Sequence, residues 1–311
     1  MQTAPVEIVR GYYDAFNAHA PDRAVRRLAP SMTEWGKPFG RARTAEALAD
    51  IFTLFPDARL DVREVVPHGD DVVVMAACSG THRGVGRLPL YGGRTAGVPP
   101  TGRRFSVLRI DWWSLKDGLV ADRVGLGDDA SLLMQLGLIP ARTPFDLPVG
   151  FDGPPVVHRG IATEPRQARN LALMQGNQDA QARGDFDEAV KVFAPDTSNH
   201  GRASSLDRLK LIYGAIRDSY TRVDGGTGLL KMVAVDDGVI ASTERLVRHT
   251  GVMRFPIDSG FLFELPPTGR TFVQRQIHWW TLEDGLVVSH RACRDDVGMA
   301  IQLGLLPPPP A

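Results

Sequence analysis

Residues 99–140 read PPTGRRFSVLRIDWWSLKDGLVADRVGLGDDASLLMQLGLIP, and residues 266–307 read PPTGRTFVQRQIHWWTLEDGLVVSHRACRDDVGMAIQLGLLP. The two stretches lie 167 residues apart without a gap, and 21 of their 42 positions are identical. Internal similarity at a fixed offset is typical of a duplicated structural unit. We therefore expect two copies of one fold. Polar positions that differ between the copies are candidates for different functions.

The repeat divides the 311-residue chain into two domains of ordinary size. We expect the first domain at residues 1–140 and the second at residues 164–311. Residues 141–163 are rich in proline and glycine and show no periodicity, so we predict a linker there. The closing PPPPA is predicted to be extended and solvated.

Each repeat places helical periodicity first and strand alternation afterwards, which predicts an α+β fold. In the first repeat we predict helices at 5–20, 21–28, 44–55 and 129–136, and strands at 59–67, 71–83, 105–115 and 119–127. In the second we predict helices at 165–183, 186–193 and 205–220, strands at 221–235, 239–251, 271–282 and 286–294, and a last helix that ends at Gly304. A curved, mostly antiparallel sheet wrapped around helices forms a cone, and such a cone encloses an apolar pocket where a ligand is expected.

Composition excludes several functional classes. The chain has 36 Lys and Arg against 36 Asp and Glu, so it lacks the basic excess that is typical of nucleic-acid binders. It has no apolar run long enough to cross a bilayer, and its first residues show no secretion signal. The two cysteines, Cys78 and Cys293, fall in predicted strands of different repeats, which argues against a structural disulfide. We therefore expect a cytoplasmic protein that binds neither nucleic acid nor a membrane.

Both repeats carry a corresponding set of short motifs. The first has YDAFNAH at 13–19, THRG at 81–84 and PPTGR at 99–103, and the second has Asn199-His200, HTG at 249–251 and PPTGR at 266–270. Each repeat then has an Asp-Gly turn and an aspartate followed nine residues later by the glycine of QLG. Together these motifs resemble the SnoaL-like polyketide (ester) cyclases of the nuclear-transport-factor-2-like superfamily, in tandem. The resemblance covers both repeats but neither the linker nor the tail.

The resemblance implies a cofactor-independent reaction on a small hydrophobic carbonyl compound. It implies that an acidic residue near the end of the last long strand is the general acid and base of an intramolecular aldol closure. By position this residue is Asp128 in the first repeat and Asp295 in the second. Related isomerisation or hydration would use the same chemistry. Burial in an apolar cone would raise the pKa of the carboxyl group toward the working pH, where proton exchange is efficient.

Strand alternation predicts which side chains share a face with these aspartates. Asp122 and Asp128 share one face in the first repeat, and Arg291 and Asp295 share the matching face in the second. A close Arg291 would lower the pKa of Asp295. Both aspartates also precede a predicted helix, so a role as helix N-caps stays open for them.

Further polar residues are candidates for the pocket wall. His82 and His249 hold equivalent strand ends and are candidate catalytic donors, and a hydrogen-bonded structural role fits them equally well. The other candidates for substrate binding are His200, Asn199, His278, Asp111, Arg291, Trp113 and Trp280. The histidines of the second repeat lack the close spacing of metal ligands, so no metal site is predicted. Because that repeat has more histidines at such positions, we favour it as the active one.

Two functions from different classes stay open. The first is a cofactor-free cyclase or related acid–base enzyme. The second is a non-catalytic binding or assembly module, whose cones hold an apolar ligand or are filled by their own side chains while Asp128 and Asp295 only cap helices. The duplication further predicts that the two repeats pack around a pseudo-twofold axis, and a further homo-oligomer stays open.

Overall fold

A computed structural model describes residues 5–140, 156–157, 164–223, 228–235, 237–255, 257 and 260–309. The chain forms two compact units, one built on residues 1–140 and the other on residues 161–307. Most of the predicted linker, the end of the proline tail and residues 224–227 lie outside the described residues. The exact domain boundaries and the pseudo-twofold packing stay predictions.

The first unit combines four helices with a seven-stranded sheet in the part of the chain described. Its elements are α1 (Pro5–Asn17), α2 (Pro21–Val25), β1 (Leu28–Glu34), β2 (Lys37–Pro38), α3 (Arg41–Leu54), β3 (Arg59–His68), β4 (Asp71–Thr81), β5 (Arg104–Lys116), β6 (Leu119–Gly127), α4 (Asp129–Leu136) and β7 (Val156–Val157). The strand order is β2-β1-β6-β5-β4-β3-β7. β7 comes from the segment predicted as a linker and pairs with β3 in parallel.

The second unit repeats this plan. Its elements are α5 (Glu164–Arg183), α6 (Phe186–Ala189), β8 (Phe193–Asn199), β9 (Arg202–Ala203), α7 (Leu206–Ser219), β10 (Tyr220–Arg222), β11 (Leu229–Val235), β12 (Gly238–His249), β13 (Thr271–Glu283), β14 (Leu286–Arg294) and α8 (Asp296–Leu303). The strand order is β10-β12-β13-β14-β8-β9, and β11 also pairs with β12. The last strand runs parallel to β8, as β6 runs parallel to β1 in the first unit.

The predicted α+β fold with curved, mostly antiparallel sheets is confirmed in both units. β6, β14 and α4 match their predicted ranges residue for residue. The predicted strand at 221–235 is instead two strands, β10 and β11, which pair with opposite ends of β12. The predicted helix at 186–193 ends at Ala189, and β8 begins at Phe193.

One face of each sheet packs against the first helix of its repeat, and we call it the helix-facing face. In the first repeat, Tyr13 of α1 contacts Asp111 and Trp113 of β5. In the second, Met174 of α5 belongs to the same buried cluster as Trp280 of β13. Directly paired residues of adjacent strands share a face, so this face continues onto the partners of these residues. No helix among the described residues is long and apolar enough to cross a membrane.

Candidate active site

The two aspartates predicted to be catalytic cap the N-termini of α4 and α8. Asp128 Oδ1 accepts a hydrogen bond from the backbone N–H of Ser131 at 3.0 Å, and Asp295 Oδ1 accepts one from Gly298 at 2.8 Å. Each side chain thereby satisfies a donor of the first helical turn. Burial raises the pKa of Asp295, although the Gly298 N–H and the charge of Arg275 lower it in part. The acid–base role of both aspartates stays a prediction.

Asp122, which is predicted to share a face with Asp128, lies on the side of the sheet that is opposite to the helix-facing face. On β6 the helix-facing face carries Arg123, which pairs with Trp113, and on β14 it carries His290, which pairs with Trp280. The expectation for Arg291 needs correction, because Arg291 pairs with Trp279 on the opposite face. The arginine that lowers the pKa of Asp295 is Arg275 of β13 and not Arg291.

His82 and His249 tie the ends of β4 and β12 to the two PPTGR loops. In each case the ring Nδ1 accepts the backbone N–H of a threonine at 3.2 Å, from Thr101 in the first repeat and Thr268 in the second. The hydroxyl of the same threonine lies 3.3 Å from that nitrogen. Burial lowers the pKa of both rings, and a backbone hydrogen bond offsets part of this effect. The Nδ1 contacts support the structural alternative for both histidines, and their role as catalytic donors stays a prediction.

The helix-facing face of the first repeat is occupied by a network of its own charges and rings. Arg109 forms a bidentate ion pair with Asp111, with Nε–Oδ2 at 2.8 Å and Nη2–Oδ1 at 2.6 Å. The Tyr13 hydroxyl donates to Asp111 Oδ2 at 2.9 Å and accepts from Trp113 Nε1 at 3.3 Å. The ring of Tyr12 packs 4.8 Å from that of Trp113. Both carboxylate oxygens of Asp111, a residue only 2% exposed, are thus used within the protein.

A second ion pair flanks this network. Arg123 donates to Glu34 Oε1 from Nη2 at 2.5 Å and from Nε at 3.2 Å, and its guanidinium lies 5.5 Å from the centroid of the Trp113 ring. Gly125, the cross-strand partner of Asp111, makes room for the network, because a Cβ at this position would overlap with Asp111 Oδ1. The structure therefore places Asp111 and Trp113 on the predicted wall but already bonded to other residues.

The helix-facing face of the second repeat holds a chain of neutral rings. His278 Nδ1 lies 3.1 Å from His290 Nε2, and His290 Nδ1 lies 2.8 Å from Asn199 Oδ1. Trp280 stacks on both histidines, with ring centroids 5.0 Å and 5.5 Å away and interplanar angles of 8° and 18°. The ring of His200 lies 5.4 Å from that of His290. Four predicted substrate-binding residues, Asn199, His200, His278 and Trp280, thus come together around His290.

The chain of rings ends at His278 Nε2, a buried nitrogen without a hydrogen-bond partner among the described residues. Burial lowers the pKa of His278 to about 3, with the positive charge of Arg245 as the next cause. Burial and the neighbouring His278 hold the pKa of His290 well below its ordinary value. Both rings are therefore neutral at pH 7. They occupy the positions of Asp111 and Arg123, so neutral rings stand where the first repeat has charges.

The helix that packs on the helix-facing face also differs between the repeats, because aromatic residues of α1 are replaced by amides in α5. Tyr12 and Tyr13 of α1 align with Asn177 and Gln178 of α5, at an offset of 165 residues. Gln178 Oε1 accepts a hydrogen bond from Arg245 Nη2 at 2.8 Å. The sequence interpretation missed His290, Arg245 and Gln178 as members of the site. The signal for Gln178 was present, since the same offset also aligns identical glycines and aspartates in the two helices.

A further buried polar group, the hydroxyl of Thr243, lies on β12 at the helix-facing face. Thr243 is 1% exposed, pairs with Gln276 of β13, and has no partner for Oγ1 among the described residues. Ala76 holds the equivalent position in the first repeat. Within the described ranges, no group of three or more His, Cys, Asp or Glu residues is arranged to hold a metal ion.

Comparisons with known proteins recover both repeats. The profile of the SnoaL-like polyketide cyclases matches residues 6–136 and 172–303. Among solved structures, AclR from Streptomyces galilaeus is 20% identical, with 45% of this chain and 100% of AclR covered at a TM-score of 0.39. TsrD from Streptomyces laurentii is 26% identical, with coverages of 45% and 99% and a TM-score of 0.38. A SnoaL-like polyketide cyclase from Agrobacterium tumefaciens is 20% identical, with coverages of 44% and 100% and a TM-score of 0.36. No curated protein sequence matches this chain.

Proposed function

This chain belongs to the SnoaL-like polyketide cyclase family, and on that basis we propose that it is an enzyme with its active site in the second repeat. The reaction is cofactor-independent acid–base chemistry on a small hydrophobic carbonyl compound, of the aldol-cyclisation type. One fold hosts many functions, so the proposal depends on the site and not on the fold alone. The observation that carries it is the hydrogen-bonded chain Asn199–His290–His278 on the helix-facing face, which ends at a buried Nε2 of His278 that has no partner among the described residues.

The chemistry requires a group that exchanges a proton with the carbon next to a carbonyl. When that C–H bond breaks, its electron pair forms an enolate, whose carbon then attacks a second carbonyl to make the new C–C bond. The resulting alkoxide takes up a proton, so the reaction consumes no external reagent. His278 exchanges the proton through Nε2. Arg245, whose charge acts on His278, stabilises the negative oxygen of the enolate.

The low pKa of His278 is compatible with this role. In the free protein the ring stays neutral, so its nitrogen is never blocked by a solvent proton at pH 7. As the enolate forms, its negative charge favours the protonated imidazole and raises the pKa of His278 toward the working pH. General acid–base catalysis is most efficient when the pKa of the catalytic group lies near the working pH. The base therefore becomes stronger as the reaction proceeds.

The first repeat supports the other functional class. Arg109 and Tyr13 use both oxygens of Asp111, and the rings of Tyr12 and Trp113 pack beside them. Three of the roughly four acceptor sites of this carboxylate are thus taken by Arg109 and Tyr13, and its charge is paired with that of Arg109. We therefore assign the first repeat a non-catalytic role.

The test compares His278→Gln with Asp295→Asn. Wild type is incubated in D₂O with a panel of hydrophobic ketones and esters that each have one enolisable carbon, and mass spectrometry measures hydrogen–deuterium exchange. Glutamine can still bond to His290 but cannot take the proton, so exchange should fall by about 10² to 10⁴-fold. Asparagine caps a helix as well as aspartate does, so Asp295→Asn should retain exchange.

Two outcomes would overturn the proposal. If Asp295→Asn abolishes exchange while His278→Gln retains it, the acid–base group is Asp295, as predicted from the sequence. If wild type catalyses no exchange with any member of the panel, the binding-module alternative holds for both repeats.

A further inference from the structure

We infer that Asn199 and His290 are positioning residues that fix the tautomer of His278, so that its Nε2 carries a lone pair and accepts a proton. The catalytic meaning of this inference depends on the proposed function. The tautomer itself is a property of the free protein and is measured without a substrate.

The order of donors follows from the chemistry of the three groups. Asn199 presents Oδ1, which only accepts, so His290 Nδ1 must carry the proton in their 2.8 Å hydrogen bond. A neutral imidazole has one proton on its two nitrogens, so His290 Nε2 is an acceptor. Its partner at 3.1 Å, His278 Nδ1, must then donate. With its single proton on Nδ1, His278 keeps a lone pair on Nε2.

The sheet holds this chain of hydrogen bonds in place. Asn199, His290 and His278 lie on the adjacent strands β8, β14 and β13, and His290 is in parallel register with Asn199. The two histidine rings are 5.3 Å apart at an angle of 20°, and Trp280 stacks on both. Rings locked in this way cannot rotate to exchange their nitrogens. The amide of Asn199 thus determines the tautomer of His278. It acts through two successive hydrogen bonds, from Asn199 to His290 and from His290 to His278.

The first repeat lacks this device. Glu34 stands at the position of Asn199 and forms an ion pair with Arg123, at the position of His290. Neither residue has tautomers to select. The chain therefore offers a matched control, because a change at Glu34 alters the equivalent position without touching the histidines.

The decisive variant is Asn199→Asp. A carboxylate beside His290 Nδ1 favours the doubly protonated imidazolium, which then donates from Nε2 as well. His278 Nδ1 would have to accept, and the single proton of His278 would move to Nε2. The variant should therefore turn a proton acceptor into a proton donor at the same place. Asn199→Leu, which removes the acceptor, should leave a mixture of both tautomers.

Nuclear magnetic resonance of the ¹⁵N-histidine-labelled full chain at pH 7 measures the tautomers. The sequence has eight histidines, and the signals of His278 and His290 are assigned by their loss in His278→Gln and His290→Gln. In wild type both rings should be protonated on Nδ1 and unprotonated on Nε2. In Asn199→Asp, His290 should be protonated on both nitrogens and His278 on Nε2. A proton on His278 Nε2 in wild type, or an unchanged pattern in Asn199→Asp, would overturn the inference.

The deuterium-exchange assay separates this inference from the proposed function. Asn199→Asp should lower kcat by about 10² to 10⁴-fold, as His278→Gln does, because Nε2 of His278 would no longer accept a proton, and KM should be nearly unchanged. Glu34→Gln should leave both constants unchanged. If the tautomers are as inferred but His278→Gln retains exchange, the proposed function fails and the positioning stands. If exchange depends on His278 but the tautomers differ, only the positioning fails.

Discussion

The helix-facing faces of the two repeats give opposite answers to the same problem, which is how to place polar groups inside a cone. In the first repeat, Asp111 is bonded to Arg109 and Tyr13, so its charge is neutralised within the protein. In the second, neutral rings form a chain that ends at His278 Nε2, a buried nitrogen with no hydrogen-bond partner in the part of the chain described. The first arrangement satisfies its charges internally, whereas the second leaves one buried hydrogen-bonding group without a partner among these residues.

The two repeats also share several contacts at their helix ends and loops. The helix caps Asp128 and Asp295 form the same bond, and the loop contacts of His82 and His249 have the same distances. Identity between the copies thus accompanies shared structural contacts, whereas the polar differences lie on the helix-facing face.

The largest expected effect on stability comes from breaking the charged network. Asp111→Asn leaves the guanidinium of Arg109 without its buried counter-charge, and the free energy of unfolding should fall by about 3 kcal/mol. His278→Asn, the matched change in the second repeat, removes no charge but loses a neutral hydrogen bond and the stacking on Trp280, and should cost about 2 kcal/mol. Urea unfolding followed by circular dichroism measures both. Equal losses would contradict the contrast between the two faces.

A smaller effect is expected from acid. Burial depresses the pKa of His278 from 6.5 to about 3 and that of His290 well below 6.5, so folding favours the neutral rings. Their contribution to stability is complete above pH 6.5 and is lost as the pH falls from 6.5 toward 3. At pH 5 the loss is at most ~2 kcal/mol for each ring.

The control for this pH dependence is the double variant His278→Gln, His290→Gln. Its stability should change less than that of wild type between pH 6.5 and pH 5, a range in which ordinary carboxylates remain ionised. The comparison uses chemical unfolding at each pH. Parallel curves for the two proteins would show that the rings do not carry the predicted linkage.

The smallest effect is expected at the shared caps. Asp128→Ala and Asp295→Ala should each lower the free energy of unfolding by about 1 kcal/mol, whereas the asparagine variants should be nearly neutral. Thermal unfolding of the four variants tests this. A large loss in Asp295→Asn alone would show that the charge of Asp295 has a role beyond capping.

Strand alternation and turn residues were sufficient to predict most elements, including β6 and β14 to the residue. Alternation grouped Asp122 with Asp128, and Asp122 pairs with Ser114, on the face opposite to Trp113. It could not show which face meets the helix, because that depends on how α1 packs on the sheet. The predicted site was therefore centred on Asp128 and Asp295, whereas the polar clusters lie around Asp111 and His278.

The missing members of the site were hidden for a related reason. His290 meets Asn199 and His278 only across three neighbouring strands, which no single stretch of sequence displays. Gln178 meets Arg245 between a helix and a strand. In addition, the helices align at an offset of 165 residues and the last strands at 167, so one fixed offset pairs the wrong residues.

Gly125 has a consequence for how the copies diverged. Its counterpart is Ala292, the cross-strand neighbour of His278. A carboxylate held as Asp111 is held fits only beside a residue without a Cβ, so His278→Asp alone would force the new side chain against Ala292. Building the first repeat's arrangement into the second therefore requires at least two simultaneous substitutions, and no single substitution converts one arrangement into the other.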